Sequence, residues 1–405
     1  MRRFTLWLLA AMLLLGSLPC FARTLNLQTL PSGYVMTPSE VIDTFGHNVV
    51  KPGIANESRG ALLLPDVNEQ SRRRTNPAWL LFSNSPEILN HGTLPAGRGV
   101  LVSADVPAGH GRLLLSHSNQ QPFPEDFVLR IVNRGEYPAV VSLDPRAHAC
   151  QDPIPGAFSM DAMVGGNLAQ RFFYSLRHVS HAMWQPIDGD HRILIQHDGK
   201  SDARLLSGVR GLGTAWVDIN TNQPLHLALY AVPTGADIDD SAAPVLPRTG
   251  RQVRGLFRHP DLSIQATIDL ASGKPQRYVF GGSERNDKAG QLKQGYYMRG
   301  TDTTEPGTSE SLINRGDFGG ITWFHGTVKA PPGSLYHGAL LILVAGGRRV
   351  AVLPLHGGPP VVLGQWSGLV LGRVRVGQSF TYPFTLPPNS WAPVYLVAVP
   401  VFSAE

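Results

Sequence analysis

The chain is poor in cysteine, poor in charge and without a recognisable catalytic signature. Cys20 and Cys150 are the only cysteines among 405 residues. Charged residues make up 16%, and apart from Arg72-Arg73-Arg74 the basic ones are scattered. With no basic stripe interleaved with aromatics, nucleic acid is not an expected partner, and the triple arginine reads as a solvated linker. There is no phosphate loop and no dinucleotide fingerprint. The closest text to a G-x-S-x-G nucleophile elbow, Gly364-Gln365-Trp366-Ser367-Gly368, carries its serine one place too late. Beyond the N-terminus no segment reaches eighteen consecutive apolar residues, so no membrane span is expected there.

The N-terminus itself has three zones. Arg2 and Arg3 are positive, Phe4 through Leu15 is apolar, and Cys20 and Ala22 take the −3 and −1 places of a cut before Arg23. This is the pattern of a secretory signal peptide over residues 1–22. Pro19 before Cys20 argues against a lipid anchor, and the apolar run suits general secretion better than a twin-arginine route. The formal charge of +5 falls by two when Arg2 and Arg3 are removed. Cleavage would leave Cys150 alone, so no internal disulfide is expected and export to periplasm, envelope or medium adds no cross-link. His148 lies two residues before Cys150, but a buried, inert thiol is the preferred reading over a nucleophile.

What the chain does have is glycine and proline, 43 and 33 residues, between short apolar runs. That composition predicts a mainly β protein: tandem β-sandwich-like modules, Ig-like or jelly-roll-like, with one or two short helices. After an irregular arm over 23–76, with a short helix near Pro38 to Phe45 capped by Thr37 or Ser39, a first module is expected over 77–240. Its strands read as Trp79–Phe82, Gly99–Ser103, Arg112–Ser116, Phe127–Val132, Ala139–Leu143, Arg192–Ile195, Gly213–Ile219 and Leu225–Val232. Phe127–Val132 and Ala139–Leu143 are read as a hairpin about Asn133-Arg134-Gly135, with Gly135 supplying a positive φ; Gly213–Val232 repeats that layout. Apolar residues recurring every three or four from Met160 to Val179 predict a helix, its stable part over 167–180.

A connector at Ser241–Arg251 leads to a second module over 252–405. Its strands read as Leu262–Ile268, Arg277–Phe280, Ile321–Val328, Ala339–Val344, Arg349–Leu353, Val361–Leu363, Leu369–Val374 and Val394–Val399. The stretch 282–311 reads as a long polar loop. Ile131-Val132-Asn133-Arg134-Gly135-Glu136-Tyr137 has a counterpart in Leu312-Ile313-Asn314-Arg315-Gly316-Asp317-Phe318: an apolar pair, Asn-Arg-Gly, an acid and an aromatic. Arg315-Gly316-Asp317 spells an adhesion tripeptide, but a turn is the preferred reading.

Several stretches occur in an order that resembles a family of uncharacterised exported proteins of cyanobacteria and related bacteria. They are Ser83-Asn84-Ser85-Pro86-Glu87 with Gly92, the text around Asn133, the Asn167–Arg177 segment after a glycine pair, Gly213–Val232, and Asn314-Arg315-Gly316-Asp317-Phe318-Gly319. The resemblance spans roughly residues 75–400 and departs where the family has Asn-Tyr-Gly and this chain Asp317-Phe318-Gly319. It implies export and β architecture, and carries no catalytic residue.

Two groups of residues invite chemistry. His178, His181, Asp190, His191 and His197, within a run that also holds Asp188, Asp198 and Asp202, combine imidazole and carboxylate as zinc or, at Asp188-Gly189-Asp190, calcium would require; solvated loop residues explain them equally. His191 and His197 flank a strand at an even spacing. Tyr296 and Tyr297, in the polar loop, are the candidates for an exposed saccharide contact, whereas Trp216 and Trp323 sit in strand text and are expected in the core. The histidines of the His-Gly pairs (His91, His110, His325, His337, His356) read as turn residues at strand ends. The expected function is non-enzymatic: structure, or binding of polysaccharide or another envelope component. The alternative is an exported hydrolase of cell-wall or extracellular polysaccharide, metal-dependent if the histidine cluster holds an ion.

Overall fold

In a computed structural model, the described residues are 25–46, 49–50, 61–74, 78–151, 192–240, 242–249, 253–281, 298–304, 310–314, 318–347, 349–352, 361–386 and 393–402. They are mainly β, in several sheets, with one α-helix. Among them no helix is long and apolar enough to cross a membrane. The helix expected over 158–183 falls outside the described residues.

Four sheets carry most of the structure. Sheet 1 runs in the order Arg192–Ile195, Ala139–Gln151, Leu212–Thr221, Gly109–Asn119, Trp79–Ser83, Arg254–Arg258, Met298–Asp302, Glu310–Asn314. Sheet 2 runs Lys200–Val209, Glu125–Asn133, Leu225–Pro233, Gly99–Val106. Sheet 3 runs Val35–Met36, Gly368–Arg375, Gly338–Ala345, Val394–Val401, Gln276–Phe280, and sheet 4 Ser379–Phe384, Thr322–Lys329, Leu262–Asp269, Asn68–Arg73.

The alternation of side chains explains how the sheets meet. Along Glu125–Asn133, Phe127, Leu129 and Ile131 join Leu81, Leu113, Leu115, Val141 and Val217 of sheet 1 in one buried cluster. A second cluster draws Ile264, Ile268, Phe324 and Tyr382 of sheet 4 together with Leu341, Leu343, Leu369 and Leu396 of sheet 3. Sheet 3 is covered on its other face too: Val41 and Phe45 of the helix Pro38–Phe45 pack with Leu340, Ile342 and Val344. Burial on both faces is why Gly338–Ala345 and Val394–Val401 are continuous apolar runs rather than alternating ones. The helix begins where expected: Thr37 caps it, with Thr37 N–H donating to Glu40 Oε2 at 2.7 Å and Glu40 N–H to Thr37 Oγ1 at 3.3 Å.

The two pairs of sheets are tied by side chains on the outer face of sheet 1. Leu80, Phe82, Leu114, Trp216 and Phe257 pack with Phe318, Ile321 and Trp323. Beside them the Arg112 guanidinium donates to both oxygens of Asp261 at 2.8 Å and lies over the Trp216 ring. Both partners are buried. The chain passes between the pairs more than once. Asn68–Arg73 belongs to sheet 4 and Trp79–Ser83 to sheet 1, while Arg254–Arg258 belongs to sheet 1 and Leu262–Asp269 to sheet 4. Arg72 and Arg73 are thus strand residues rather than linker; Arg72 pairs with Glu69.

Both expected hairpins are corrected. Glu125–Asn133 pairs in sheet 2 and Ala139–Gln151 in sheet 1, and likewise Leu212–Thr221 is in sheet 1 and Leu225–Pro233 in sheet 2. Each connection crosses between sheets. A period of two cannot tell a paired neighbour from a strand facing it across a core about 10 Å thick. Asn133 is the device that makes the crossing: buried, it donates through Nδ2 to Tyr137 O at 2.8 Å and accepts Gly135 N–H at 2.9 Å. Gly135 does not take a positive φ; it is glycine because a Cβ there would meet Gln223 Oε1 at 2.1 Å. Asn314, between sheets 1 and 4, repeats the device, donating to Phe318 O at 2.8 Å. Asn119, between sheets 1 and 2, does so again toward Phe123 O at 2.9 Å. In all three an aromatic stands four residues after the asparagine.

The polar stretch 282–311 is corrected in part, because Met298–Asp302 and the start of Glu310–Asn314 are strands of sheet 1. Their sequences lack β-branched alternation, so nothing local announces them. Among the His-Gly histidines, His110 and His325 lie inside strands rather than in turns.

Candidate functional site

Of the expected metal ligands, His178, His181, Asp190 and His191 lie outside the described residues, as do Tyr296 and Tyr297. His197 is described. It sits in the exposed turn after Arg192–Ile195, with Nδ1 2.6 Å from Gly135 O and Nε2 3.3 Å from Asp198 Oδ2. Its ring is thus engaged by the Asn133 crossing. Among the described residues no group of three or more His, Cys, Asp or Glu side chains converges as a metal site. Trp216 and Trp366 are buried, and Trp323 is half-buried against the junction cluster. Residues 315–317 are outside the described set.

Two other places hold chemistry or access. The first is inside the cluster between sheets 1 and 2. Ser83 Oγ lies 2.8 Å from His117 Nε2, and His117 Nδ1 lies 2.7 Å from Pro86 O. A carbonyl only accepts, so Nδ1 carries the proton and Nε2 accepts from the serine hydroxyl. Burial pushes the imidazole down to about 4, the Pro86 hydrogen bond opposes this, and the Arg254 charge adds to it. The ring is stacked on Phe127, with centroids 5.7 Å apart. A hydroxyl, a neutral base and an orienting acceptor form the geometry of an activated nucleophile. Yet Ser83 and His117 are both 0% exposed, so no substrate reaches the hydroxyl. The pair pins the end of strand Trp79–Ser83 to Gly109–Asn119.

Glu125 and Asp126 open the strand Glu125–Asn133 and point to opposite faces. Burial alone would raise the Asp126 carboxyl. Hydrogen bonds from Gly235 and Gly208 N–H and from the Ser207 and Thr234 hydroxyls, all within 3.0 Å, bring it below the usual range. Glu125 has no such partners: both oxygens are buried without a hydrogen bond. Burial and the neighbouring Asp126 charge push it up to about 8, against the pull of Arg98. It is held as a neutral acid at the end of a core.

The second place is an open groove of about 800 Å³ at one end of sheets 3 and 4. Loops that join these sheets meet there: 270–275 after Leu262–Asp269, 330–337 after Thr322–Lys329, and 376–378 after Gly368–Arg375. Phe402 follows directly on Val394–Val401. The groove is lined by Pro331, Pro332, Tyr336, His337, Arg375 and Phe402, among others. Its backbone is fixed by bonds to neighbouring segments, His337 N–H to Val401 O at 3.0 Å and Val376 N–H to His337 O at 2.9 Å, and by a turn within the loop, Ser334 N–H to Pro331 O at 3.1 Å.

Tyr336 and Phe402 are stacked, centroids 5.2 Å apart and planes 21° apart. The hydroxyl end of Tyr336 lies against Gly273, whose φ is +63° and whose Cβ, if present, would stand 2.5 Å from the tyrosine hydroxyl oxygen. Glycine there serves both the left-handed backbone and the close approach. Phe402 is 53% exposed and neighbouring Leu335 75% exposed. Large apolar side chains held this open in a preformed depression mark a contact surface rather than a core.

Tyr336, Arg375 and Phe402 were not foreseen. They come from a loop, the end of a strand and the residue after another strand, far apart in sequence, and only sheet pairing brings them together. His337 had been visible as the histidine before a strand, which is where it stands, one residue ahead of Gly338–Ala345. The chain matches no family model, and no curated protein matches it.

Proposed function

We propose that this chain is an exported, non-enzymatic protein of the cell envelope whose groove at the end of sheets 3 and 4 holds a saccharide or similar envelope polymer. The single observation that carries this reading is the Tyr336–Phe402 pair: stacked, with Tyr336 half-buried on the core of sheets 3 and 4 and Phe402 exposed in an open groove. An aromatic face offers a pyranose ring its apolar side, and Arg375 and His337 supply hydrogen-bond donors at the rim. The three-zone N-terminus and the likeness in order of motifs to exported proteins of cyanobacteria and related bacteria support the location. The shared clusters between sheets 1 and 2 and between sheets 3 and 4 support two sandwich-like modules as the scaffold.

A hydrolase reading would draw on Ser83 and His117, and their burial stands against it. A glycan array tests the proposal. The purified protein is expected to retain a subset of saccharides that Tyr336→Ala and Phe402→Ala release, with Phe402→Ala melting as the parent and Tyr336→Ala, half-buried against the core, melting lower. An array on which the parent retains nothing would overturn it.

A further inference from the structure

Resting on that reading of the groove, we infer that its ligand is an anionic saccharide, one bearing carboxylate, sulfate or phosphate groups. The argument is the charge of the lining. Arg375 ends the strand Gly368–Arg375 and is exposed. Its backbone N–H donates to Gln378 Oε1 at 3.1 Å, and among the described residues its guanidinium carries no ion pair. The contrast within the same molecule is sharp. The guanidinium groups of Arg112, Arg130, Arg254 and Arg277 each face an aspartate: Asp261, Asp202 with Asp240, Asp302 and Asp66 respectively.

Among the described residues the groove's lining includes Arg375 and His337 and no aspartate or glutamate. A planar guanidinium with five donors matches a carboxylate or a sulfate oxygen pair bidentately. Set beside an aromatic pair, it gives two separable contacts: a ring face for the sugar and a fork for its acid group. Lys329 and Lys274 stand in the two loops' flanks, at the end of Thr322–Lys329 and just after Gly273, and add positive charge on the same end of the sheets. Asp269, at the end of Leu262–Asp269 on the same end of the sheets, has its carboxylate occupied by the Ala271 N–H at 2.9 Å.

The test compares two polymers that share one backbone: polygalacturonate and its fully methyl-esterified form. Binding of the intact protein is measured by titration calorimetry at two salt concentrations, with the parent, Arg375→Gln and Phe402→Ala. The parent is expected to bind the acid form at least tenfold tighter than the ester, and added salt should erode that preference. Arg375→Gln should bring the two polymers to equal affinity, and Phe402→Ala should weaken whatever binding each has. Equal affinity of the parent for both polymers, or binding of neither while the array shows neutral glycans retained, would overturn the inference and leave the groove reading intact. Absence of every saccharide from the array would instead overturn the groove reading itself and the inference with it.

Discussion

The two ends of this molecule divide what an active site would have to combine. Between sheets 1 and 2, Ser83 and His117 have the distances and protonation of a nucleophile and its base, but both are sealed from solvent. At the end of sheets 3 and 4, Phe402 and Arg375 are open to solvent beside a half-buried Tyr336, and among the described residues no hydrogen bond joins Ser334 and His337 of the lining; Ser334 Oγ accepts the Tyr336 N–H instead. The lesson concerns perturbed groups. A buried imidazole near 4 and a buried carboxyl near 8 look like functional tuning. Here they report desolvation at the edge of a core. Access, rather than titration, separates the binding region from the structural one.

If that division is right, substitutions in the sealed regions should change stability and leave binding alone. The largest effect is expected at the junction of the two pairs of sheets. Arg112→Ala strands the buried Asp261 carboxylate, and by the cost of breaking a buried ion pair should lose about 3–5 kcal/mol in urea unfolding. Next comes Asn133→Ala, which removes the acceptor for Gly135 N–H and the donor to Tyr137 O. At about 1–3 kcal/mol for buried groups left unmet, it should lower the same unfolding midpoint. The equivalent change at Asn314 should cost a similar amount, since its geometry repeats that of Asn133.

Two pH profiles sharpen the picture further. His117 is depressed in the fold to about 4 from an ordinary 6.5. The unfolded chain therefore binds its proton first, and stability present above pH 6.5 should be lost as pH falls toward 4. Glu125 is raised to about 8 from 4.5, so its contribution is present below pH 4.5 and lost as pH rises toward 8. Glu125→Gln, which cannot ionise, should melt close to the parent at pH 4.5 and above it at pH 8, as read by calorimetry. An equal shift at both pH values would mean that the carboxyl is charged in the fold. The smallest stability effect belongs to the groove: Phe402→Ala, at a half-exposed position, should move unfolding by no more than about 0.5 kcal/mol.

Much of the fold was written locally. Strand Arg192–Ile195 has the residues expected of it, and Thr37 with Glu40 announced the helix Pro38–Phe45. The strands that escaped notice are polar or irregular. Lys200–Val209 is an edge strand that turns Lys200, Asp202 and Arg204 outward, with only Ala203, Leu205, Leu206 and Val209 packed on or in the core. Met298–Asp302 buries only its two ends, Met298 and the Asp302 that pairs with Arg254. Pairing was less legible than strands, because Asn133-Arg134-Gly135 spells a turn without saying which sheet the next strand joins. Its recurrence at Asn314 was visible, and its meaning as a sheet-to-sheet crossing was not. The groove was illegible for a related reason. Tyr336 was one tyrosine in a proline-rich turn, and Phe402 one residue past a strand; their stacking depends on the antiparallel pairing of Gly338–Ala345 with Val394–Val401.

The division between a sealed pair and an open groove is tested most directly by one side-by-side measurement. Ser83→Ala and Phe402→Ala are each titrated with whichever saccharide the parent retains. The account predicts that Phe402→Ala loses at least tenfold in affinity with an unchanged melting temperature, while Ser83→Ala keeps its affinity and melts lower. Loss of saccharide binding or turnover in Ser83→Ala, with Phe402→Ala behaving as the parent, would contradict it.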